Sequence, residues 1–348
     1  MRNQVAWIDL QSPCDVFFFE ALMAGIKDFD FLLSTRAYAE TIGLTKRLGL
    51  DAEPIGYQGW GRSRKMFDSA LRVVSLSLRL HHFDVALCFG DLAALAAAKI
   101  RNKNAINYMD NNLGLANPRT ITERMIVRLE MSLSSKIICP RAMPVDEFRA
   151  SGYDLDRIMQ YEGYKENVYV ARYSPDEEFL KELPFGEFVV VRPEALTAAY
   201  VQEKQSIVPE LLKNLEKENI NVVFLPRSDI EKEYAKGSNP FIPERTLNGL
   251  DLAWFSRAVL TGSGTFAREA ACLGNNAISF FPETKLLAVD QNLIDEGRIL
   301  HSRDPHEIVD FILSHPRKSS KEFIENSKSV LDEVTRITKS AILEMLQD

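Results

Sequence analysis

Residues 258–283 read A-V-L-T-G-S-G-T-F-A-R-E-A-A-C-L-G-N-N-A-I-S-F-F-P-E. An apolar run is followed by a glycine-flanked turn, a helical stretch and a second apolar run. The segment therefore reads as strand, turn, helix, strand. Strands alternating with helices imply a parallel sheet covered on both faces. The turn of Gly262, Ser263, Gly264 and Thr265 opens the helix. Its free N–H groups and the positive end of the helix dipole suit a phosphate. At 100° per residue, Phe266, Ala270 and Leu273 share one face, Glu269 lies between them in angle, and Arg268 points the opposite way. A first-turn carboxylate on that inward face would suit a ribose diol beside a pyrophosphate. Its plainer role is to offset the helix dipole.

The same alternation extends over the chain. Strands are expected at 188–192, 222–226, 258–261 and 277–281, with helices at 208–218 and 250–255. Earlier strands are expected at 5–10, 31–34, 52–55, 85–88, 105–108 and 136–139. Helices at 16–26, 38–48, 62–82, 92–100 and 121–134 fall between them. A polar stretch at 174–186 interrupts the pattern. The expectation is two doubly wound, Rossmann-like domains, 1–170 and 171–318, with closing helices over 319–348. Ligands of such sheets bind off the carboxyl ends of the strands. The loops 11–15, 90–91, 109–115, 192–196, 227–229 and 262–268 are therefore the ones to watch, lining a cleft if the two domains face each other.

The composition suits this reading. The chain has 348 residues, 46% hydrophobic and 26% charged, as in ordinary α/β proteins of about two domains. No apolar run approaches the ~20 residues that span a bilayer. The start lacks the basic and apolar regions of a signal peptide, and Cys14, Cys88, Cys139 and Cys272 are far apart. Free thiols in a reducing cytoplasm are expected, and no zinc site. The net charge is −7. Nucleic-acid binding does not fit that balance. None of the five histidines is spaced for metal ligation, and no Walker A or G-x-S-x-G motif occurs.

Several side chains stand at the expected loops. Asp91 follows a strand and precedes an alanine-rich helix; it is either a helix cap or a proton carrier for sugar chemistry. Asp110 follows the next strand and either turns the chain in D-N-N-L-G or faces the same space. Glu123 starts the next helix, where dipole capping is the plainer role. Arg192, in V-V-V-R-P-E, and Arg227, in F-L-P-R-S, end neighbouring strands. Two arginines in parallel positions beside a glycine-rich turn can reach a phosphate there. The stretch 62–82 carries Arg62, Arg64, Lys65, Arg72 and Arg79 against Asp68 alone. It reads as a core-facing helix with a solvated basic face, or as a helix lying on a membrane surface.

These segments together resemble a known family. W-I-D-L-x-x-P-x-x-x-F-F-F at the start, V-V-V-R-P-E in the middle, Y-E-G-Y-K-E-N-V-Y between the halves and G-S-G-T-x-x-R-E-A-A-x-L-G near the end are similar to a prokaryotic family of predicted glycosyltransferases of uncharacterised function. The similarity runs to about residue 315. That family is related to the non-hydrolysing UDP-N-acetylglucosamine 2-epimerases, which have the two-domain GT-B fold. The resemblance implies an α/β GT-B chain with parallel sheets facing across a cleft. It implies a UDP-sugar as substrate, no cofactor and no metal. Ser263, Gly264 and Thr265 would meet the diphosphate, and Glu269 the ribose hydroxyls. Asp91 matches the aspartate of the epimerases' His-Gly-Asp-Thr segment, Asp110 falls where they carry a catalytic glutamate, and Glu123 falls at a second one.

The chain also departs from its relatives. The epimerases' histidine beside an arginine, at the Arg192 segment, has no counterpart. Phe17 and Leu113 stand where the resembling family often has histidines. The reaction is thus less fixed than the nucleotide. The expected activity is metal-independent glycosyl transfer, with Asp91 or Asp110 as base, to an unknown acceptor that is lipid-linked if the protein sits at the inner membrane face. The alternatives are a UDP-sugar 2-epimerase and a non-catalytic nucleotide-sugar binder.

Overall fold

The computed structural model describes residues 4–37, 41–57, 62–116, 121–196, 203, 205–283 and 285–347. The chain divides into two compact units. Residues up to Tyr169 and from Ser329 onwards form unit 1, and Val170–Lys328 form unit 2. The chain passes from unit 1 into unit 2 at Val170. Its last stretch, set apart in the sequence as closing helices, is a single helix, Lys321–Gln347, and clusters with unit 1 from Ser329 on.

Unit 1 is built on seven strands: β1 (Gln4–Leu10), β2 (Phe29–Ala37), β3 (Ala52–Tyr57), β4 (Val85–Phe89), β5 (Asn104–Tyr108), β6 (Lys136–Pro140) and β7 (Ile158–Tyr161). Their order is β3-β2-β1-β4-β5-β6-β7, and every neighbouring pair is parallel. The direction of winding reverses between β1 and β4, so the crevice for a ligand opens at their carboxyl ends. The helices Arg62–Arg79, Leu92–Ile100 and Ile121–Leu133 cross over in one direction along the sheet. Right-handed crossovers put all three on one face. The helices Pro13–Gly25 and Thr41–Arg47 run the other way and cover the opposite face. Lys321–Gln347 joins them there: a Cβ on Gly25 would lie 2.9 Å from Thr335 Oγ1, so only glycine lets the two helices approach so closely.

The local sequence explains these elements. β1 is apolar on both faces because the sheet is covered on both, and Ala6, Trp7, Ile8 and Leu10 are buried. Pro13–Gly25 starts at a reciprocal cap. Ser12 accepts from the Asp15 N–H, Asp15 accepts from the Ser12 N–H, and Pro13 pre-sets the first turn. Leu92–Ile100 lays Ala93, Ala94, Ala97 and Ala98 on the sheet, where small side chains permit close packing.

Unit 2 holds β8 (Val189–Arg192), β9 (Val222–Phe224), β10 (Ala258–Thr261), β11 (Asn276–Ser279) and β12 (Ile299–His301). The order is β12-β11-β10-β8-β9, again all parallel. The reversal lies between β8 and β10, and it brings Arg192 and Gly262 side by side: the Gly262 N–H donates to the Arg192 carbonyl at 3.1 Å.

The sequence did not announce β7 or β12. Both are edge strands, of four and three residues, with mixed burial and no clear alternation. The expected strand 222–226 ends at Phe224, before Pro226, which has no N–H to give a ladder. Part of the expected helix 38–48 lies outside the described residues; Thr41–Arg47 is helical. The stretch 62–82 is a helix, but the described part of its outer face is not basic. Leu71, Val74 and Leu78 are exposed there, and Arg72 is buried. The side chains of 62–67 lie outside the described residues.

Candidate functional site

In unit 2 the glycine-rich turn joins β10 to the helix Gly264–Cys272. Ser263 takes the N-cap position with an extended backbone, yet its side chain makes no capping hydrogen bond. Its own N–H is held by Thr261 Oγ1 at 2.9 Å. Dipole and N–H groups are thus left for an anion from outside. Both glycines are required by close approach. A Cβ on Gly262 would stand 2.5 Å from the Glu194 Cα, and one on Gly264 would stand 2.9 Å from an Arg268 nitrogen and 3.1 Å from an Asp290 oxygen.

Two expectations for this helix are corrected. Arg268 does not point to solvent: it is buried and pairs with Asp290 at 2.6 Å. The helix Ala288–Asp295 packs on that flank and supplies the neutralising charge. Glu269 lies in the second turn, not the first, because the helix begins only at Gly264; its side chain is half-buried.

The strand-end arginines differ in role. Arg192 is half-buried at the end of β8, and its Nε is buried with no hydrogen-bond partner among the described residues. Arg227 donates to the Pro193 carbonyl at 2.6 Å and pairs with Glu231 at 3.5 Å. It braces the segment after β8. Glu194 stands in the same motif, V-V-V-R-P-E. Glu194 is buried, accepts from Arg303 at 3.1 Å and from Ser206 at 2.6 Å, and ties the loop after β8 to two further segments.

In unit 1, Asp91 is first of all a helix cap: its Oδ1 accepts from the Ala93 N–H at 2.8 Å. Its Oδ2 accepts from Arg72 at 2.5 Å, and Arg72 also donates to both oxygens of Asp9, at 2.7 and 2.8 Å. Ser34 donates to Asp9 at 2.5 Å, and Trp7 to Ser34 at 2.8 Å. Gly56, with φ +87°, makes room: a Cβ there would meet the Arg72 stem at 3.0 Å. All three charged groups are buried. Burial pushes the Asp9 carboxyl up against the pull of Arg72, with the Asp91 charge adding to the rise. Burial also acts to raise Asp91, but Arg72 and the hydrogen bonds to Asp9 and Ala93 hold it below the usual carboxylate range. The cluster therefore carries two acids against one base, and the two carboxyls titrate as a coupled pair.

Beside this cluster a cavity of about 380 Å³ opens at the carboxyl ends of the strands, where the winding reverses. Its charged lining is Asp15, Arg36, Asp110, Glu130 and Lys165; Gly90 lines it too, whereas the Asp91 carboxylate is turned into the interior. Lys165 is buried and ion-paired with Asp110. Burial disfavours the lysine charge, but Asp110, Cys14, Glu166 and Asp15 hold its pKa above the ordinary value. Burial raises Asp15 to about 6 despite Lys165 and the Ser12 hydrogen bonds. Glu130 is pushed by burial to about 7, with the Asp91 charge contributing. The cavity thus holds acids poised near neutrality next to a fixed cation and its carboxylate partner, which can move protons on a polar substrate. Glu123 lies in the first turn of Ile121–Leu133, but its side chain is outside the described residues. Lys165 and Glu130 were missed from the sequence. Lys165 stands in Y-E-G-Y-K-E-N-V-Y, a segment that entered there only as part of the family resemblance.

Residues 4–347 match the family described as "Protein of unknown function (DUF354)". The chain belongs to that family. An uncharacterised protein of Methanocaldococcus jannaschii is 27% identical over 325 residues, which cover 90% of this chain and 92% of that protein. Among solved structures, the UDP-GlcNAc 2-epimerase of the same organism aligns with a TM-score of 0.72, over 97% of this chain and 100% of the epimerase, at 14% identity. Its complex with UDP-GlcNAc and UDP aligns at 0.66. The glycotransferase of kitacinnamycin aligns at 0.59, over 99% of this chain and 100% of that one, at 12% identity. At such identities the likeness is one of fold. This DUF354 chain is an α/β protein of the GT-B class, with two parallel sheets in two units.

Proposed function

We propose that the chain binds a nucleotide-sugar, with a uridine diphosphate moiety on unit 2, and transfers the sugar to an acceptor without a metal ion. The observation that carries this reading is the uncapped helix start at Ser263, Gly264 and Thr265, beside the strand-end Arg192. A diphosphate there receives N–H donors, a helix dipole and a guanidinium, which stabilise a leaving diphosphate as a cation does elsewhere. Glu269, one turn on, is assigned to the ribose hydroxyls, and Arg227 to bracing the loop that carries Arg192. The epimerase complex with UDP-GlcNAc and UDP, which has the same fold, supports the choice of nucleotide.

In unit 1 the reading assigns proton transfer to Asp110, with Lys165 fixing its charge. Asp91 becomes a positioning residue. A second reading, 2-epimerisation, is favoured by one observation: the cavity offers both an ionised carboxylate, Asp110 beside Lys165, and acids raised to about 6 and 7 at Asp15 and Glu130. Removal and return of a proton on a sugar needs such a pair.

Incubation with a panel of nucleotide-sugars, followed by NMR with and without lipid extract, separates the readings. Release of UDP only with an acceptor marks a transferase. A new sugar-nucleotide marks an epimerase, and binding without turnover a binder. If no nucleotide or nucleotide-sugar changes the melting temperature at millimolar concentration, the whole reading falls.

A further inference from the structure

The cavity of unit 1 has a donor-rich end to which the transfer reading gives no task. Leu10 on β1 pairs with Thr35 on β2, and the residues that follow them, Gln11 and Arg36, both line the cavity. Opposite Arg36 the ladder to β3 is irregular. Thr35 pairs with Pro54 and Ala37 with Tyr57, so Ile55 and Gly56 stand against Arg36 alone. A bulge of this kind re-aims a side chain, and such bulges gather at sheet ends beside working sites. The Gln11 Nε2 is buried and finds no hydrogen-bond acceptor among the described residues. A buried amide donor is costly to leave without one.

The donors at this end suit an oxoanion. A guanidinium is planar, permanently charged and presents a fork of N–H groups, and the amide adds a further N–H from the neighbouring strand. Carboxylate and phosphate oxygens match that fork, whereas a sugar hydroxyl meets it with a weaker, neutral oxygen. Asp91 does not fill this role. Arg36 helps to hold its carboxyl low, but the two Asp91 oxygens accept from Ala93 and Arg72. The sheet order β2-β1-β4-β5 sets the Arg36 strand three spacings, about 14 Å, from the strand that leads to Asp110. The cavity therefore runs from a donor end at Gln11 and Arg36 to the pair of Asp110 and Lys165. A molecule that spans it meets N–H donors at one end and a carboxylate at the other.

We infer that the acceptor is an anionic molecule, whose phosphate or carboxylate is seated by Gln11 and Arg36 while its hydroxyl faces Asp110. The inference rests on the transfer reading above and names its acceptor class. Titration calorimetry of the full chain tests it, with UDP present to fill the turn at Gly264. The probes are glucose 6-phosphate, glucuronate, octyl phosphate below its micelle concentration, and glucose. At least one of the anions should bind at least ~10-fold more tightly than glucose. The tightest of them tells a sugar phosphate, a uronate and a lipid phosphate apart as the source. Arg36→Gln should weaken that anion at least ~10-fold, and Arg36→Lys less, because it keeps the charge without the fork. Gln11→Met should weaken it about 5-fold. UDP affinity should be unchanged in every variant, since the nucleotide is assigned to unit 2. Should Arg36→Gln fail to fold by circular dichroism, Arg36→Lys and Gln11→Met are read in its place. Glucose bound as tightly as the anions, or anion binding indifferent to Arg36 and Gln11, overturns the inference. UDP is also titrated alone on the same protein. A chain that binds no UDP but loses the anion with Arg36→Gln keeps this seat and loses the nucleotide reading.

Discussion

Asp15 shows how one carboxyl can report on the whole cavity. It is buried at the start of Pro13–Gly25, accepts from the Ser12 N–H at 3.0 Å, and is raised by burial from 3.8 to about 6. A carboxyl raised on folding holds its proton more tightly in the folded state. Its contribution to stability is full below about pH 4 and is lost as pH rises through about 6, a change of about 3 kcal/mol. Asp15→Asn keeps an oxygen for the cap but does not titrate. Thermal melts across pH 4 to 8 should therefore slope less in the variant, with the gain in stability confined to the high-pH side. Equal slopes would assign the titration to another group. Glu269 is tested differently. Glu269→Gln should weaken nucleotide binding by about 1.5–3 kcal/mol, the worth of charge-assisted bonds to the ribose, and leave the melting temperature nearly unchanged. A loss of a few tenths in stability with unaltered affinity would make it only a partner of the helix dipole.

At the scale of elements, Arg72 ties three of them together. From the helix Arg62–Arg79 it reaches Asp9 on β1, the Ile55 carbonyl on β3 and Asp91 at the start of Leu92–Ile100. Arg72→Leu leaves two buried carboxylates facing each other and should cost about 3–5 kcal/mol at pH 8. The loss should be smaller at pH 5, because burial and the Asp91 charge raise Asp9 and let it take up a proton once Arg72 is gone. Asp91→Asn is expected to be milder, about 1–2 kcal/mol, because the amide still caps the helix and Arg72 keeps its bidentate pair with Asp9. Chemical denaturation at the two pH values compares them. A larger loss for Asp91→Asn than for Arg72→Leu would mean that the cap, not the charge cluster, holds these elements. The strands and most helices were legible because each is announced by its own apolar period. Asp9 also left a trace, as a charge inside the apolar run V-A-W-I-D-L, which calls for a buried partner. Which partner it has could not be read from spacing, because Arg72 lies 63 residues away.

For the whole molecule, the nucleotide reading makes a quantitative claim. A nucleotide-sugar at ~100 times its dissociation constant should add about 2.7 kcal/mol to stability, seen as a rise in melting temperature. Turnover should survive EDTA. Loss of activity in chelator, restored by magnesium or manganese, would instead mean a metal-dependent transferase. What the sequence determined by itself was local. Strand–turn–helix periods gave the two doubly wound halves, and glycines at close approaches marked the turn at Gly262. The motif order carried the family resemblance. Only the tertiary structure decided which charges line the cavity and which are internal ties. Asp110 meets Lys165 from 55 residues away, Asp91 is drawn into the interior by Arg72, and Arg268 is buried against Asp290. It also turned the stripe of Leu71, Val74 and Leu78 outward, because Arg72 claims the inner side of that helix. The reason is physical: periodicity follows from steric and hydrophobic rules that act over a few residues. A buried charge instead takes its meaning from whichever distant group the fold sets beside it.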